Sequence, residues 1–181
     1  MDKFIVQGGL KLHGKVNIQA AKNAVLPLLA ASILTDERVT IRDLPFISDV
    51  ENMIHILREL GCEAARTGAD IVIDGKNAVS HEIPSTLTKE LRSSVFMLGS
   101  VLTRFHRAKI SYPGGCDIGL RPIDLHLSGL KRLGVTIIEE NGYVICSAEK
   151  IRGAARLYRS GNIKDAENYD RREAVTVNDY I

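Results

Sequence analysis

One cysteine of this chain stands where a core cysteine has no reason to be. Cys116 follows Pro113, Gly114 and Gly115 within the stretch SYPGGCDIGLRPIDLH, residues 111–126. Glycines in such a turn permit positive φ and let the backbone approach a ligand closely. Arg121 and the helix start announced by Pro122 would favour thiolate over thiol. An inert surface-loop cysteine would sit in the same setting, and the turn alone leaves both readings open. Cys62 and Cys146 lie inside strand-like apolar runs and read as buried structural thiols.

Three further groups have the chemistry of anion binding. Arg121 precedes a helix and Asp124 falls in its first turn, so the pair offers a bidentate phosphate grip and an acceptor for a ligand hydroxyl. A solvated arginine with a capping carboxylate is the plainer alternative, and His126 reads as a packing residue. Lys22 and Asn23 open an apolar helix in AAKNAVLP, a fair anion site, or else a solvated lysine beside an N-cap asparagine. Arg92 lies in the first turns of another helix, in TKELRSSVF.

The elements that must position these residues repeat. Residues 33–74 and 101–147 share one order of signals, with Leu34-Thr35 answering Leu102-Thr103 and Leu60-Gly61 answering Leu133-Gly134. The offset grows from 68 to 73, so the second copy holds extra residues, mostly in the PGGC turn. Each copy reads as a leading helix (21–34, 88–102), a strand (39–42, 108–112) and a second helix closing on Leu-Gly (49–60, 122–133). Two more strands finish it, 62–66 with 71–74 and 135–139 with 143–147. Asn141-Gly142 is a hairpin signal and the glycine after each second helix a left-handed stop. Ser48 or Asp49 is expected to cap one second helix, and Pro122 to open the other. An α/β (α+β) fold of repeated α-β-α-β-β units follows, in which neither unit buries its faces alone. Equivalent helix starts would then gather Lys22, Arg92, Arg121 and Cys116 on one rim.

Outside the repeats, FIVQGG and GKVNIQ read as two short strands around a glycine turn. Residues 155–181 carry balanced charge without the strand-helix rhythm, and read as a solvated tail or a weak helix and a short strand.

The bulk numbers narrow the function classes. The 181 residues are 45% hydrophobic and 25% charged, enough for a core and too apolar for a disordered chain. A net charge of +2 and the absence of tryptophan argue against nucleic acid as a partner. The longest apolar run, 24–34, is too short to span a bilayer and contains Pro27. Three cysteines without CxxC spacing, and no apolar signal segment behind Met1, fit reduced thiols and a cytoplasmic location. No nucleotide, zincin or hydrolase signature occurs.

AAKNAVLPLLAASIL, LRSSVFMLGSVLTRF and PGGCDIGLRPIDLHLSGLKRLG closely resemble the UDP-N-acetylglucosamine 1-carboxyvinyltransferase family of enolpyruvyl transferases, over residues 1–154. That resemblance implies an inverted α/β barrel pair, each domain holding three such units and the cleft lying between domains. It implies transfer of enolpyruvyl from phosphoenolpyruvate to the sugar 3′-hydroxyl, in peptidoglycan synthesis and hence cell-wall biogenesis, shape and division. No metal or organic cofactor is implied, and the partners are the two small-molecule substrates, with no nucleic acid and no membrane. Lys22 would contact phosphoenolpyruvate and Asn23 the sugar nucleotide. Arg92 and Arg121 would bind charged groups, while Pro122, Ile123, Asp124 and Leu125 would line the uridine pocket. Cys116 would be the loop thiol, proton donor or release group, which fosfomycin alkylates.

The chain departs from the family in length, which is well under half. The hydroxyl-activating aspartate and a further phosphate-binding arginine belong to the family's second domain. On that reading 1–20 are strands of the second domain, 21–154 two repeats of the first, and 155–181 a divergent tail. The chain is then incomplete and inactive alone, and the alternatives are a non-catalytic sugar-nucleotide-binding module, a gene remnant or a shikimate-pathway relative. Asp117 stands where the family carries a small or neutral residue and would raise the thiol pKa.

Overall fold

A computed structural model describes residues 3, 5, 7–9, 11, 13–18, 20–112, 123–151, 154–157 and 172–175. Two units follow one another. The first runs α1 (Lys22–Ala31), a 3-10 turn, β1 (Arg38–Ile41), α2 (Ser48–Glu59), β2 (Glu63–Thr67) and β3 (Asp70–Asp74). After the short α3 (Ser85–Glu90), the second runs α4 (Val95–Phe105), β4 (Arg107–Ser111), α5 (Asp124–Arg132), β5 (Thr136–Glu140) and β6 (Tyr143–Ser147). Each unit forms an antiparallel three-stranded sheet, ordered β1-β3-β2 and β4-β6-β5. The hairpin registers match, Thr67 facing Asp70 as Glu140 faces Tyr143. The expected repeat is therefore the architecture.

Its punctuation is the punctuation of the sequence. Gly61 and Gly134 end α2 and α5 at φ +97 and +92. Beyond them Cys62 N donates to Leu57 O and Val135 N to Leu130 O, which takes up carbonyls the helix leaves open. Asn141 and Gly142 turn with φ 52 and 78, the pair of positive values that a two-residue hairpin demands. The core is one continuous cluster in which Leu26, Leu29, Met53, Leu57, Met97 and Leu102 are fully or nearly fully buried. In β3, Ile71 and Ile73 point inward while Val72 is exposed, so one sheet face packs and the other does not.

Among the described residues of 1–20 no strand is assigned, and Ile5, Val16 and Ile18 are at least 87% exposed. Phe4 and Val6 of FIVQGG lie outside the described residues, and strands of a second domain would find their partner there, so that reading stays an expectation. Several other expectations need correction. The second leading helix is not continuous over 88–102. Leu91 adopts extended backbone (φ −130, ψ 107) to bury its side chain, and a 3-10 turn, Arg92–Ser94, precedes α4. Ser93 and Ser94 contribute weak helix propensity at that break. Neither Ser48 nor Asp49 caps α2, whose N-cap is Ile47, and Ala21 rather than Asn23 is the N-cap of α1. In the tail the described residues include β7 (Ala154–Leu157) and β8 (Arg172–Val175), an antiparallel pair, and the rest of 155–181 lies outside them.

Arg104 joins the units. From the end of α4 its guanidinium donates to Ile33 O at 2.7 Å, Gly75 O at 2.8 Å and Asp36 Oδ1 at 2.8 Å, all in the first unit. Its side chain is only 14% exposed, and the bonds to Ile33 O and Gly75 O are partly shielded from water, whereas the Asp36 carboxylate is 76% exposed. Losing a donor strands buried acceptors at roughly 1–3 kcal/mol each. Arg104→Met, which keeps the aliphatic stem, is expected to lower unfolding free energy by about 2–4 kcal/mol in urea titration, and a loss within error of zero would remove this role.

Candidate active site

The sequence candidates sit at helix starts and strand ends on both units. Lys22 is the first residue of α1, and its Nζ forms an ion pair with the carboxylate of Asp49 in the first turn of α2. Packing of α1 on α2 brings these two helix starts together. Asn23 is exposed in the same first turn. Pro27, inside α1, has no N–H to return to the Asn23 carbonyl, which loses its helical donor. Beside this start lies a hollow of about 600 Å³ lined by Ile18, Ala20, Leu44, Pro45, Phe46 and neighbours.

Arg66 fixes the loop that leads into α2. It pairs with Glu51, donates to Leu44 O at 3.1 Å and Pro45 O at 3.4 Å, and lies 4.1 Å above the Phe46 ring. The ring is 70% exposed and held by the cation rather than by the core.

In the second unit, Ile123 is the N-cap of α5 and 3% exposed, so it belongs to the core. Asp124 is exposed in the first turn and Leu125 is 63% exposed. A hollow of about 440 Å³ is lined by Asp124, Leu127, Ser128, Lys131, Arg132 and Glu139. At its edge Tyr112, the residue after β4, donates its hydroxyl to Glu139. That bond to a carboxylate, with burial and the charges of Glu139 and Asp124, pushes the phenol up to about 12.

The remaining candidates are placed only in part. Arg92 opens the 3-10 turn before α4, with its side chain outside the described residues, as are Cys116, Arg121 and Pro122 altogether. By the offset of 68 Arg92 answers Ala24, not Lys22, so the two cations do not open their helices at equivalent positions. The described residues thus bring Lys22 to Asp49 and Tyr112 to Glu139 and Asp124. A shared opening for the four chemical candidates stays an expectation. Asp49 was legible only as a capping carboxylate. Tyr112 and Glu139 carried no motif, although the offset of 73 matches Glu139 with Arg66. Among the described residues no group of His, Cys, Asp and Glu is placed to hold a metal, and no helix is long and apolar enough to cross a membrane.

Cys62 and Cys146 are 5% and 0% exposed, and burial pushes both thiols up to about 11. A raised folded pKa favours the protonated thiol, so its stabilisation is complete below the unfolded value near pH 9 and is lost as pH rises toward 11. At pH 8 only about one molecule in a thousand would carry either thiolate. Iodoacetamide at pH 8 is expected to leave both peptides unmodified by mass spectrometry until urea unfolds the chain. Labelling of either in the folded protein would contradict the burial.

The family model described as EPSP synthase (3-phosphoshikimate 1-carboxyvinyltransferase) matches residues 6–160. UDP-N-acetylglucosamine 1-carboxyvinyltransferase 2 of Caldanaerobacter subterraneus subsp. tengcongensis is 48% identical over 153 residues, covering 84% of this chain and 37% of that protein. UDP-N-acetylglucosamine 1-carboxyvinyltransferase of Myxococcus xanthus is 43% identical over 171 residues, 93% of this chain and 41% of that protein. The chain therefore spans about two fifths of the length of the curated relatives it matches. Among solved structures, the enolpyruvyl transferase NikO from Streptomyces tendae superposes with a TM-score of 0.68 at 24% identity, over 80% of this chain and 32% of that one. EPSP synthase from Acinetobacter baumannii gives 0.52 at 15% identity, over 76% and 32%. These two likenesses speak for the fold.

Proposed function

Because this chain belongs to the EPSP synthase (3-phosphoshikimate 1-carboxyvinyltransferase) family, we propose that it carries part of the site of an enolpyruvyl transferase acting on UDP-N-acetylglucosamine. The observation that carries the choice of substrate is the name shared by relatives 41–48% identical over most of the chain. The reaction adds a sugar hydroxyl to the enol carbon of phosphoenolpyruvate, with protonation of the methylene, and then eliminates phosphate. Cations must hold the phosphate while charge moves, and a proton donor must reach the methylene.

In this reading Lys22 grips the phosphorylated three-carbon acid, with Asp49 holding its ammonium at the start of α1. Asn23 binds the sugar nucleotide, Arg92 and Arg121 bind charged groups, and Pro122, Ile123, Asp124 and Leu125 line the uridine end. Ile123 does so through its backbone, since its side chain is in the core. Cys116 is the proton donor or release group, and fosfomycin would alkylate it. The compartment is the cytoplasm and the pathway is cell-wall synthesis. A shikimate-type substrate has the family model's description in its favour, but the relatives of high identity carry the sugar-nucleotide name.

The resemblance assigns further catalytic groups to a second domain, so residues 1–181 by themselves are expected to bind without turnover. Calorimetry should detect UDP-N-acetylglucosamine binding, with no phosphate release when phosphoenolpyruvate is added. Turnover would refute the division of labour, and loss of both signals would refute the site. Iodoacetamide should modify Cys116 before Cys62 or Cys146 in the folded chain, and the reverse order would remove Cys116 from its role.

A further inference from the structure

The two sheets differ at one edge. In the second unit the segment before α3 runs parallel to β4 and closes its outer side. There Lys109 N donates to His81 O and Ile83 N to Lys109 O, each at 2.9 Å. Ile83 is 3% exposed, and the Glu82 carboxylate reaches Lys109 Nζ at 3.0 Å. In the first unit Thr40 faces Val72 as Lys109 faces Ile145. The backbone groups of Thr40 therefore look outward from β1 as those of Lys109 do from β4. Among the described residues nothing pairs with them. By the offset of 68 the counterparts of the closing segment are His13, Gly14 and Lys15, and all three are exposed and make no bond to β1. Burial follows the same difference. Ala108 is fully buried, whereas Val39, at the same register position of β1, is only partly so.

We infer that the outer edge of β1 accepts one extended segment of the longer family chain, laid parallel to the strand and carrying a carboxylate followed by a branched apolar residue. Direction and side-chain order follow the occupied sister edge, where Glu82 and Ile83 stand in that order. Charge supports the carboxylate. Arg38, Thr40 and Arg42 alternate onto one face, so an acid beside Thr40 would lie between two guanidinium groups. Arg42 has no ion pair among the described residues, and Arg38 is 74% exposed beside Asp74. The same two arginines oppose a second copy at this edge. A two-fold pairing of β1 with itself about Thr40 would set each Arg38 against Arg42 of the other copy, and like charges placed opposite destabilise a ladder. The relatives, of which this chain spans about two fifths, have the length to supply the segment.

Amide exchange of the full 181-residue chain, read by NMR, tests the edge with and without a millimolar peptide of the sequence SHEIPS, that of residues 80–85. Without peptide the Thr40 N–H should exchange at least about tenfold faster than that of Lys109. The peptide should slow it and shift the resonances of Val39, Thr40 and Ile41, and a peptide with Asp in place of Ile should not. Thr40→Pro should abolish the peptide effect at little cost, since that N–H has no partner, whereas Lys109→Pro should melt about 3 °C or more below it. Protection of Thr40 without peptide would overturn the inference. If independent of protein concentration, it would mean that this chain covers the edge itself, and if rising with concentration, that a second copy does. Resonances of β1 unmoved by the peptide would overturn it as well, as would a Thr40→Pro variant as unstable as Lys109→Pro. None of these measurements depends on which substrate the protein takes.

Discussion

A single guanidinium sets how the two units meet. Apolar contact between the leading helices supplies most of the attraction but little direction, because burial of Leu26, Leu29, Met97 and Leu102 tolerates sliding and rotation. Arg104 removes that freedom. Its planar fork reaches a carbonyl within the 3-10 turn, the Asp36 carboxylate just beyond that turn, and the carbonyl after β3. These acceptors come from two separate stretches of the first unit, 33–36 and Gly75, which restricts the placements of α4 that satisfy all of them. The rims on which the candidate residues sit inherit their relative position from this contact.

Most of the fold was readable because its signals are local. The Leu-Gly stops, the Asn-Gly turn and the alternation in β3 and β6 depend on residues within a few positions of one another, and each element begins or ends within a few residues of its expected bound. The failures share the opposite property. Leu91 leaves helical geometry because the interior claims its side chain, which helix propensity does not record.

The candidate site divides in the same way. Residue type and the PGGC and RP-x-DLH strings marked Cys116, Arg121 and Asp124, and a helix start marked Lys22. The partner of Lys22 was not readable, since Asp49 lies 27 positions on and meets it only when α1 packs against α2. The resemblance assigns Ile123 to a pocket wall, and the structure places its side chain in the core, which leaves its backbone for that role. A motif fixes which groups are present, and packing decides which of them face one another.

The duplicated scaffold also shows why its two loops are held differently. Six residues separate β1 from α2 and twelve separate β4 from α5. Doubling a loop costs only about 0.6 kcal/mol in closure entropy, less than one good hydrogen bond, so length alone does not demand a new anchor. The difference lies in what each anchor consumes. Arg66 takes two backbone carbonyls of its loop and a carboxylate of the following helix, which leaves that loop committed to the scaffold. Among the described residues Glu139 takes a side-chain hydroxyl, that of Tyr112, at the root of the loop whose sequence carries a thiol, a glycine pair and an arginine.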